Sequence, residues 1–228
     1  MQERAAKIVR PALLCGALPN RRAELLFWSG GKDSFLALRA RLRAGTDPTT
    51  VVLLTTFGLP KRVVAHQEVS IASVVEQAKA LELPLVGVPL PPGADSTTTL
   101  TDALNWVAAE CGVARLVFGD LHLEHIRAWR EEALAPVGKA LGASTNYPLW
   151  QREYSSLLAD FLESGARARV CAAPDVGAIA PVRMGEVFGP ELTARLPEGI
   201  DAFGESGEFH TYVEPDSLSP ARTWFART

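Results

Sequence analysis

The stretch that most constrains the fold lies between residues 23 and 38, where a strand, a glycine-rich turn and a helix start follow one another. The turn, Ser29-Gly30-Gly31-Lys32-Asp33-Ser34, is called the glycine loop below. Two adjacent glycines let the backbone turn tightly and approach a ligand without an intervening Cβ. A helix start adds unpaired N–H groups and a dipole that favours an anion. We therefore expect a phosphate site built from loop amides, the hydroxyls of Ser29 and Ser34, and the Lys32 ammonium.

Strand-like and helix-like segments alternate after this loop. Apolar runs at residues 51–57, 84–90 and 115–118 predict strands, and segments 67–81, 98–109 and 123–141 have helical spacing. This alternation predicts an α/β fold with a parallel, doubly wound, Rossmann-like sheet. Ligands in such sheets bind beyond the carboxyl ends of the strands, which predicts one mouth shared by the glycine loop, Phe57, His66 and Asp120.

The alternation becomes irregular beyond residue 143. The sequence therefore predicts a loosely docked extension at residues 1–22, a nucleotide-binding sheet domain at 23–143 and a smaller α+β substrate domain at 144–228. A total of 228 residues has room for one large domain or two small ones.

Composition excludes several classes of protein. The net charge is −3 and the pI about 5.9, which weighs against nucleic acid or a membrane surface as partner. The three cysteines form no C-x-x-C pair, which argues against a zinc or redox site and favours a reducing compartment. No apolar run approaches the ~20 residues that span a bilayer, so we predict a cytoplasmic protein without membrane contact.

A second unusual segment covers residues 201–213. Glu205 and Glu208 flank glycines, and His210 and Thr211 follow on a predicted strand. The turns that glycines allow could present both carboxylates to one magnesium ion, ammonium or amine. The alternative is a hairpin turn with solvated glutamates, and the segment alone does not decide between the two.

A charged stripe lies on the predicted helix 123–141. Glu124, Arg127 and Glu131 are three and four residues apart, which places them on one helix face. The alternative to a binding face is an exposed row of salt bridges.

Two motifs resemble known enzymes when taken together. The glycine loop resembles the S-G-G-x-D-S pyrophosphate loop (PP-loop) of the ATP pyrophosphatase superfamily. With the G-E-x-G-E-F-H-T segment near the chain's end, it resembles the diphthine–ammonia ligase family. The resemblance includes Gln77-Ala78 with Leu83-Pro84-Leu85, the position of His66, Gly119 with the charged stripe, and Pro148-Leu149-Trp150. The chain departs from the family at His125-Ile126, where Tyr-Gln is common, and at Trp129, where a basic residue is common.

The resemblance implies a PP-loop domain of the HUP type that binds ATP and Mg²⁺, with a C-terminal domain that holds the substrate. The implied reaction adenylates a carboxylate, diphthine-like or other, and ammonium then gives the amide, AMP and pyrophosphate. The catalytic residues implied are Lys32, Asp33, Glu205 and Glu208. Nucleotide binding is implied for Ser29, Gly30, Gly31, Lys32, Asp33, Ser34, Phe57, His66, Gly119 and Asp120. Substrate binding is implied for Glu124, Arg127, Glu131, Trp150, Glu205, Gly207, Glu208, His210 and Thr211.

Two other readings remain open at the level of sequence. One is a tRNA thiolase or lysidine synthase that shares the loop, and the other is a non-catalytic nucleotide sensor. The metal ligands, the acceptor and the oligomeric state, a homodimer included, are not determined by the sequence.

Overall fold

The computed structural model describes residues 10–64, 67–173 and 182–221. These residues form an eight-stranded main sheet and a two-stranded sheet. The strands are β1 (Ala12–Cys15), β2 (Ala23–Phe27), β3 (Val51–Gly58), β4 (Val63–Val64), β5 (Val69–Ser70), β6 (Leu85–Leu90), β7 (Val113–Val117), β8 (Ser144–Asn146), β9 (Ala168–Ala172) and β10 (His210–Val213). The helices are α1 (Lys32–Arg43), α2 (Ile71–Ala80), α3 (Ser96–Cys111), α4 (Glu124–Leu141), α5 (Tyr154–Glu163) and α6 (Pro190–Thr193).

The order of the main sheet is β1-β6-β3-β2-β7-β8. The strands β6, β3, β2, β7 and β8 are parallel, and β1 adds antiparallel to the β6 edge. The chain winds from β2 through β3 to β6 in one direction and through β7 to β8 in the other. Its direction therefore reverses between β2 and β7, at the switch point where such sheets bind ligands. The predicted Rossmann-like, doubly wound α/β fold is confirmed.

Hydrophobic clusters cover both faces of this sheet. Leu26 of β2 packs in a cluster with α1 and α2, whereas its neighbour Leu25 packs in a cluster with α3 and α4. Successive residues of a strand point to opposite faces. Strands buried on both faces therefore read as continuous apolar runs, which is why β3 and β6 were recognisable in the sequence.

The C-terminal region packs on the α1–α2 face. Phe161 of α5, Val170 of β9 and Val213 of β10 belong to the same buried cluster as α1 and α2. Arg39 of α1 and Asp160 of α5 form an ion pair of 2.7 Å in which both side chains are buried. The division into domains at residue 143 stays a prediction, although β8, which follows that residue, belongs to the main sheet.

Two details differ from the sequence reading. Residues 12–15 form the edge strand β1 and pair with β6, which corrects the expectation of a loosely docked extension at this point. An edge strand needs only backbone partners on its neighbour, so its side chains give little signal. The second helix begins at Ile71 because the hydroxyl of Ser70 accepts from the Ser73 N–H as an N-cap. Within the described ranges, no helix is long and apolar enough to cross a membrane.

Candidate functional site

A cleft of about 340 Å³ lies at the switch point and is called the first cleft. Its walls come from the carboxyl ends of β2, β3 and β7, from the start of α1, and from α4. It brings together six of the residues singled out in the sequence: Ser29, Asp33, Ser34, Gly119, Asp120 and His210.

Local hydrogen bonds shape the glycine loop. The Ser34 hydroxyl donates to the Gly31 carbonyl over 2.9 Å, and the Gly31 N–H donates to Ser29 Oγ over 3.3 Å. Helix α1 starts directly after Gly31, which supplies no side-chain cap. Lys32 N–H instead donates to Thr211 Oγ1 over 3.2 Å. Both amide bonds are at or beyond the long end of the usual range, so an anion could replace these hydroxyls as acceptor.

Strand β10 is attached to this loop from the other end of the chain. The Val213 N–H donates to the Gly30 carbonyl over 2.9 Å. Gln77 is fully buried and donates to the carbonyls of Gly30 and Val213 over 2.9 and 2.6 Å. Its Oε1 accepts from Trp28 Nε1 over 2.9 Å. The buried amide of Gln77 therefore connects the glycine loop, α2 and β10, and both its oxygen and its nitrogen have hydrogen-bond partners.

Lys32 lies elsewhere than predicted. Its ammonium donates to the Phe203 carbonyl and to Asp33 Oδ2, and its side chain is only 2% exposed. The rings of Phe188, Phe203 and Phe209 surround it at 5.3 to 5.5 Å. The expectation that this ammonium faces the phosphate is corrected: it does not line the first cleft and instead attaches the C-terminal segment to α1.

Asp33 is the carboxylate at the centre of the site. Its Oδ2 is paired with Lys32 over 3.0 Å, whereas its buried Oδ1 has no hydrogen-bond partner. Burial raises the pKa of Asp33; Lys32 opposes this, and Asp201 and Asp120 add to it. An unpaired carboxylate oxygen suits a cation. No group of three or more metal-binding side chains occurs in the described part of the chain, so such a cation would need ligands from a substrate.

The segment after β7 approaches the start of α1. A Cβ on Gly119 would lie 3.0 Å from the backbone of Asp33, so a side chain there would push against the start of α1. The next residue, Asp120, pairs with Arg130 Nε over 2.9 Å, and the guanidinium lies 5.0 Å from the centre of the Phe118 ring. Sequence reasoning missed Arg130, because it belongs to no motif and only its contact with Asp120 marks it.

A second cleft of about 520 Å³ adjoins the first. The two share four residues, Asp33, Gly119, Asp120 and His210. The remaining walls come from the start of α4 and from the turn before β10: Leu123, His125, Ile126, Gly204, Glu205, Ser206 and Gly207. The positions that depart from the family motif, His125 and Ile126, thus line this second cleft.

The two glutamates of this turn are placed differently from each other. Both oxygens of Glu205 accept backbone N–H groups, from Leu121 over 2.7 Å and from His122 over 2.8 Å. Burial raises the pKa of Glu205 and these hydrogen bonds oppose it. Glu208 Oε1 accepts from the Asp201 N–H over 3.2 Å, and its buried Oε2 has no partner. Neither is a solvated turn residue, and Glu208 lines neither cleft.

Other predicted residues lie outside the two clefts. Phe57 is 3% exposed, belongs to the hydrophobic core and does not line the first cleft, which corrects its expected place at the mouth. Thr211 is buried against the glycine loop. His66 lies outside the described residues.

The charged stripe of α4 forms a separate groove of about 290 Å³. Its lining consists of Glu124, Arg127, Ala128, Glu131 and Trp150, so the predicted common face exists. Arg127 donates to Glu131 over 2.8 Å, and its guanidinium lies 4.7 Å from the Trp150 ring. The groove shares no lining residue with either cleft, and its role in substrate binding stays a prediction.

Comparisons with known proteins do not assign a role to these residues. No protein-family model matches the sequence, and no curated protein matches it. Among solved structures, the chain is similar to a predicted subunit of a tRNA methyltransferase from Methanocaldococcus jannaschii. That likeness has 18% identity and a TM-score of 0.44, and covers 84% of this chain and 95% of the other. A likeness this weak says nothing about activity, which is argued below from the residues themselves.

Proposed function

We propose that the protein is an ATP-dependent carboxylate–ammonia ligase that resembles diphthine–ammonia ligase and splits ATP between its α and β phosphates. The observation that carries the proposal is the junction of the two clefts. A nucleotide in the first cleft and an acceptor in the second would meet at Asp33, Gly119, Asp120 and His210. Holding two reactants in contact is the main requirement of a ligation.

The first cleft has suitable walls for ATP. Phe27, Leu54 and Phe118 give one part of it an apolar surface for the base. The glycine loop and the start of α1 give the other part amides and hydroxyls for the phosphates. Thr55 also lines the cleft, and its buried Oγ1 has no partner. The cleft thus has an apolar part for the base and a polar part for the phosphates of a nucleoside triphosphate.

Magnesium fits one position in this site. Asp33 Oδ1 is a buried oxygen without a partner at the edge of the cleft, and Mg²⁺ binds one or two carboxylates together with substrate phosphates. Bound there, the ion would neutralise charge that develops on the departing pyrophosphate. Asp120 is less suitable, because Arg130 already pairs with it.

The proposed reaction has two steps, and residues that line the second cleft could assist them. The acceptor carboxylate attacks the α-phosphorus, forms acyl-AMP and displaces pyrophosphate. Ammonia then attacks the acyl carbon to give the amide, AMP and one proton. Glu205, by accepting the N–H groups of Leu121 and His122, fixes the segment between Asp120, which lines both clefts, and Leu123, which lines the second. His125 and His210 line the acceptor side, where a histidine could take up the proton that ammonium must lose before attack.

One observation favours a second candidate, a nucleotide sensor without catalysis. The Lys32 ammonium is buried under three aromatic rings and so cannot stabilise a leaving pyrophosphate directly. The tRNA-modifying hypothesis has less support, because the sequence has no C-x-x-C pair and its net charge is −3.

Labelled ammonium tests the proposed reaction. The protein is incubated with ATP, Mg²⁺, ¹⁵N-ammonium and a pool of cellular carboxylic acids, and mass spectrometry detects products that carry ¹⁵N. We expect an amide that forms only when ATP is present and not with Asp33→Asn. A wild-type protein that binds ATP but forms no labelled amide with any pool would support the sensor instead.

A further inference from the structure

Arg130 places a permanent positive charge in the wall of the first cleft. Among the described residues that line this cleft, it is the only lysine or arginine. ATP carries several negative charges, and a cation in a partly closed site stabilises them far better than water does. The lysine of the glycine loop is directed into its aromatic cage instead. The charge of the nucleotide therefore needs another protein partner.

The contacts of Arg130 hold its guanidinium in place. Asp120 pairs with Nε over 2.9 Å, and the Phe118 ring lies 5.0 Å below the guanidinium carbon. Its side chain remains 28% exposed. A guanidinium whose Nε is occupied still offers its two terminal nitrogens, which match two oxygens of a phosphate.

Arg130 also lines two neighbouring cavities. It contributes to a small apolar pocket of about 140 Å³ between α3 and α4, together with Phe27, Leu100 and Trp129. The same side chain lines the first cleft together with the glycine loop. The base belongs with apolar residues and the terminal phosphates with the loop. In the nucleotide, the ribose and the α-phosphate connect the base to the terminal phosphates, and of these two groups the α-phosphate carries the negative charge.

We propose that Arg130 binds the α-phosphate of the nucleotide, the group that remains in AMP, and that Asp120 positions the guanidinium for this contact. This inference rests on the proposed function. The positive charge beside the reacting α-phosphorus would then come from α4. The glycine loop would hold the pyrophosphate instead.

Calorimetric titration tests the assignment with three ligands: ATP with Mg²⁺, AMP and pyrophosphate. We expect Arg130→Gln to weaken ATP and AMP binding by about tenfold to a hundredfold, the effect of a lost charged hydrogen bond. Pyrophosphate affinity should stay within about twofold of wild type, which also shows that the variant is folded. Lys139→Ala, which removes an exposed charge from the same helix, is the matched control and should bind all three ligands normally.

A double variant separates direct contact from repulsion, because Arg130→Gln alone leaves the Asp120 carboxylate unpaired. In Asp120→Asn/Arg130→Gln that negative charge is removed as well. If Arg130 contacts the phosphate, the double variant stays weak for AMP. Recovery of wild-type affinity in the double variant, or unchanged AMP affinity in Arg130→Gln, would overturn the inference and leave the proposed function standing. A wild-type protein that binds no ATP would overturn both.

Discussion

Glu205 accepts a 2.7 Å hydrogen bond from the backbone N–H of Leu121, a residue 84 positions earlier in the chain. The second carboxylate oxygen accepts from the next N–H, that of His122. These bonds attach the turn before β10 to the segment that follows β7. They hold Gly119 and Asp120 at the junction of the two clefts. Glu205 lines the second cleft, and both of its carboxylate oxygens already accept backbone N–H groups.

Glu205→Gln should therefore impair both folding and activity. An amide can accept only one of the two N–H groups, and the N–H group left without an acceptor should cost ~1–3 kcal/mol of unfolding free energy. Turnover should fall by at least about tenfold because the junction loosens. Glu198→Gln, at an exposed position in the same region, should stay within about 0.5 kcal/mol of wild type. Denaturant unfolding and activity on the same preparations decide it, and a fully stable, fully active Glu205→Gln would refute the role.

Gly31 is packed against β10, so a side chain there should disturb both strand and loop. A Cβ at this position would lie 2.9 Å from the Thr211 carbonyl. We expect Gly31→Ala to cost about 1–3 kcal/mol of unfolding free energy and to weaken ATP binding. The control is Gly189→Ala, where a Cβ meets open space. If the two variants have the same melting temperature and the same ATP affinity, the close packing of β10 on Gly31 is contradicted.

Gln77 should be one of the costliest polar residues to replace. Methionine has similar size but cannot bond to Trp28, Gly30 or Val213, and each buried group left unpaired costs ~1–3 kcal/mol. Gln77→Met should therefore destabilise the protein by at least about 3 kcal/mol. The exposed Lys79 lies on the same helix, and Lys79→Met should be close to neutral. Chemical denaturation of the pair is the measurement, and equal stabilities would contradict the role of the amide.

The pH dependence of stability should reveal two partly buried carboxyl groups, Asp33 and Glu205. Burial raises the pKa of Asp33 and of Glu205 above the ordinary values of 3.8 and 4.5. The folded protein therefore keeps these protons to a higher pH than the unfolded chain does. Their contribution to stability is largest below pH 3.8 and 4.5 and declines as pH rises through the folded pKa values. Melting curves from pH 4 to 7 should show a smaller decline in Asp33→Asn/Glu205→Gln than in wild type, and parallel curves would contradict the raised pKa values.

Much of the fold was accessible from the sequence, because its signals are local. Doubly buried strands give continuous apolar runs, as in β3, and Gly30-Gly31 before a helical pattern marks the turn at the end of β2. The order of the helices and strands then gives a parallel sheet, and the sheet gives the mouth at which Asp33 and Asp120 meet.

The parts that failed depend on contacts over long distances in the chain. The sequence of the glycine loop predicts that Lys32 binds phosphate, but rings contributed by residues 188–209 surround its ammonium. The position of Phe57 at the end of its strand predicts a place at the mouth, but its side chain packs in the hydrophobic core. The omission of Arg130 has a different cause: this residue belongs to no motif, and only its contact with Asp120, 10 positions earlier, marks it. No local pattern contains such information.

The position at which ATP is cleaved is the most direct measurement of the proposed activity. Wild type and Asp33→Asn are incubated with ATP, Mg²⁺, ammonium and a pool of carboxylic acids, and chromatography separates the nucleotide products. We expect AMP and pyrophosphate in equal amounts from wild type, only when carboxylic acids are present, and less than about a hundredth of that rate from Asp33→Asn. ADP and phosphate as the products of the wild-type protein would contradict the proposal.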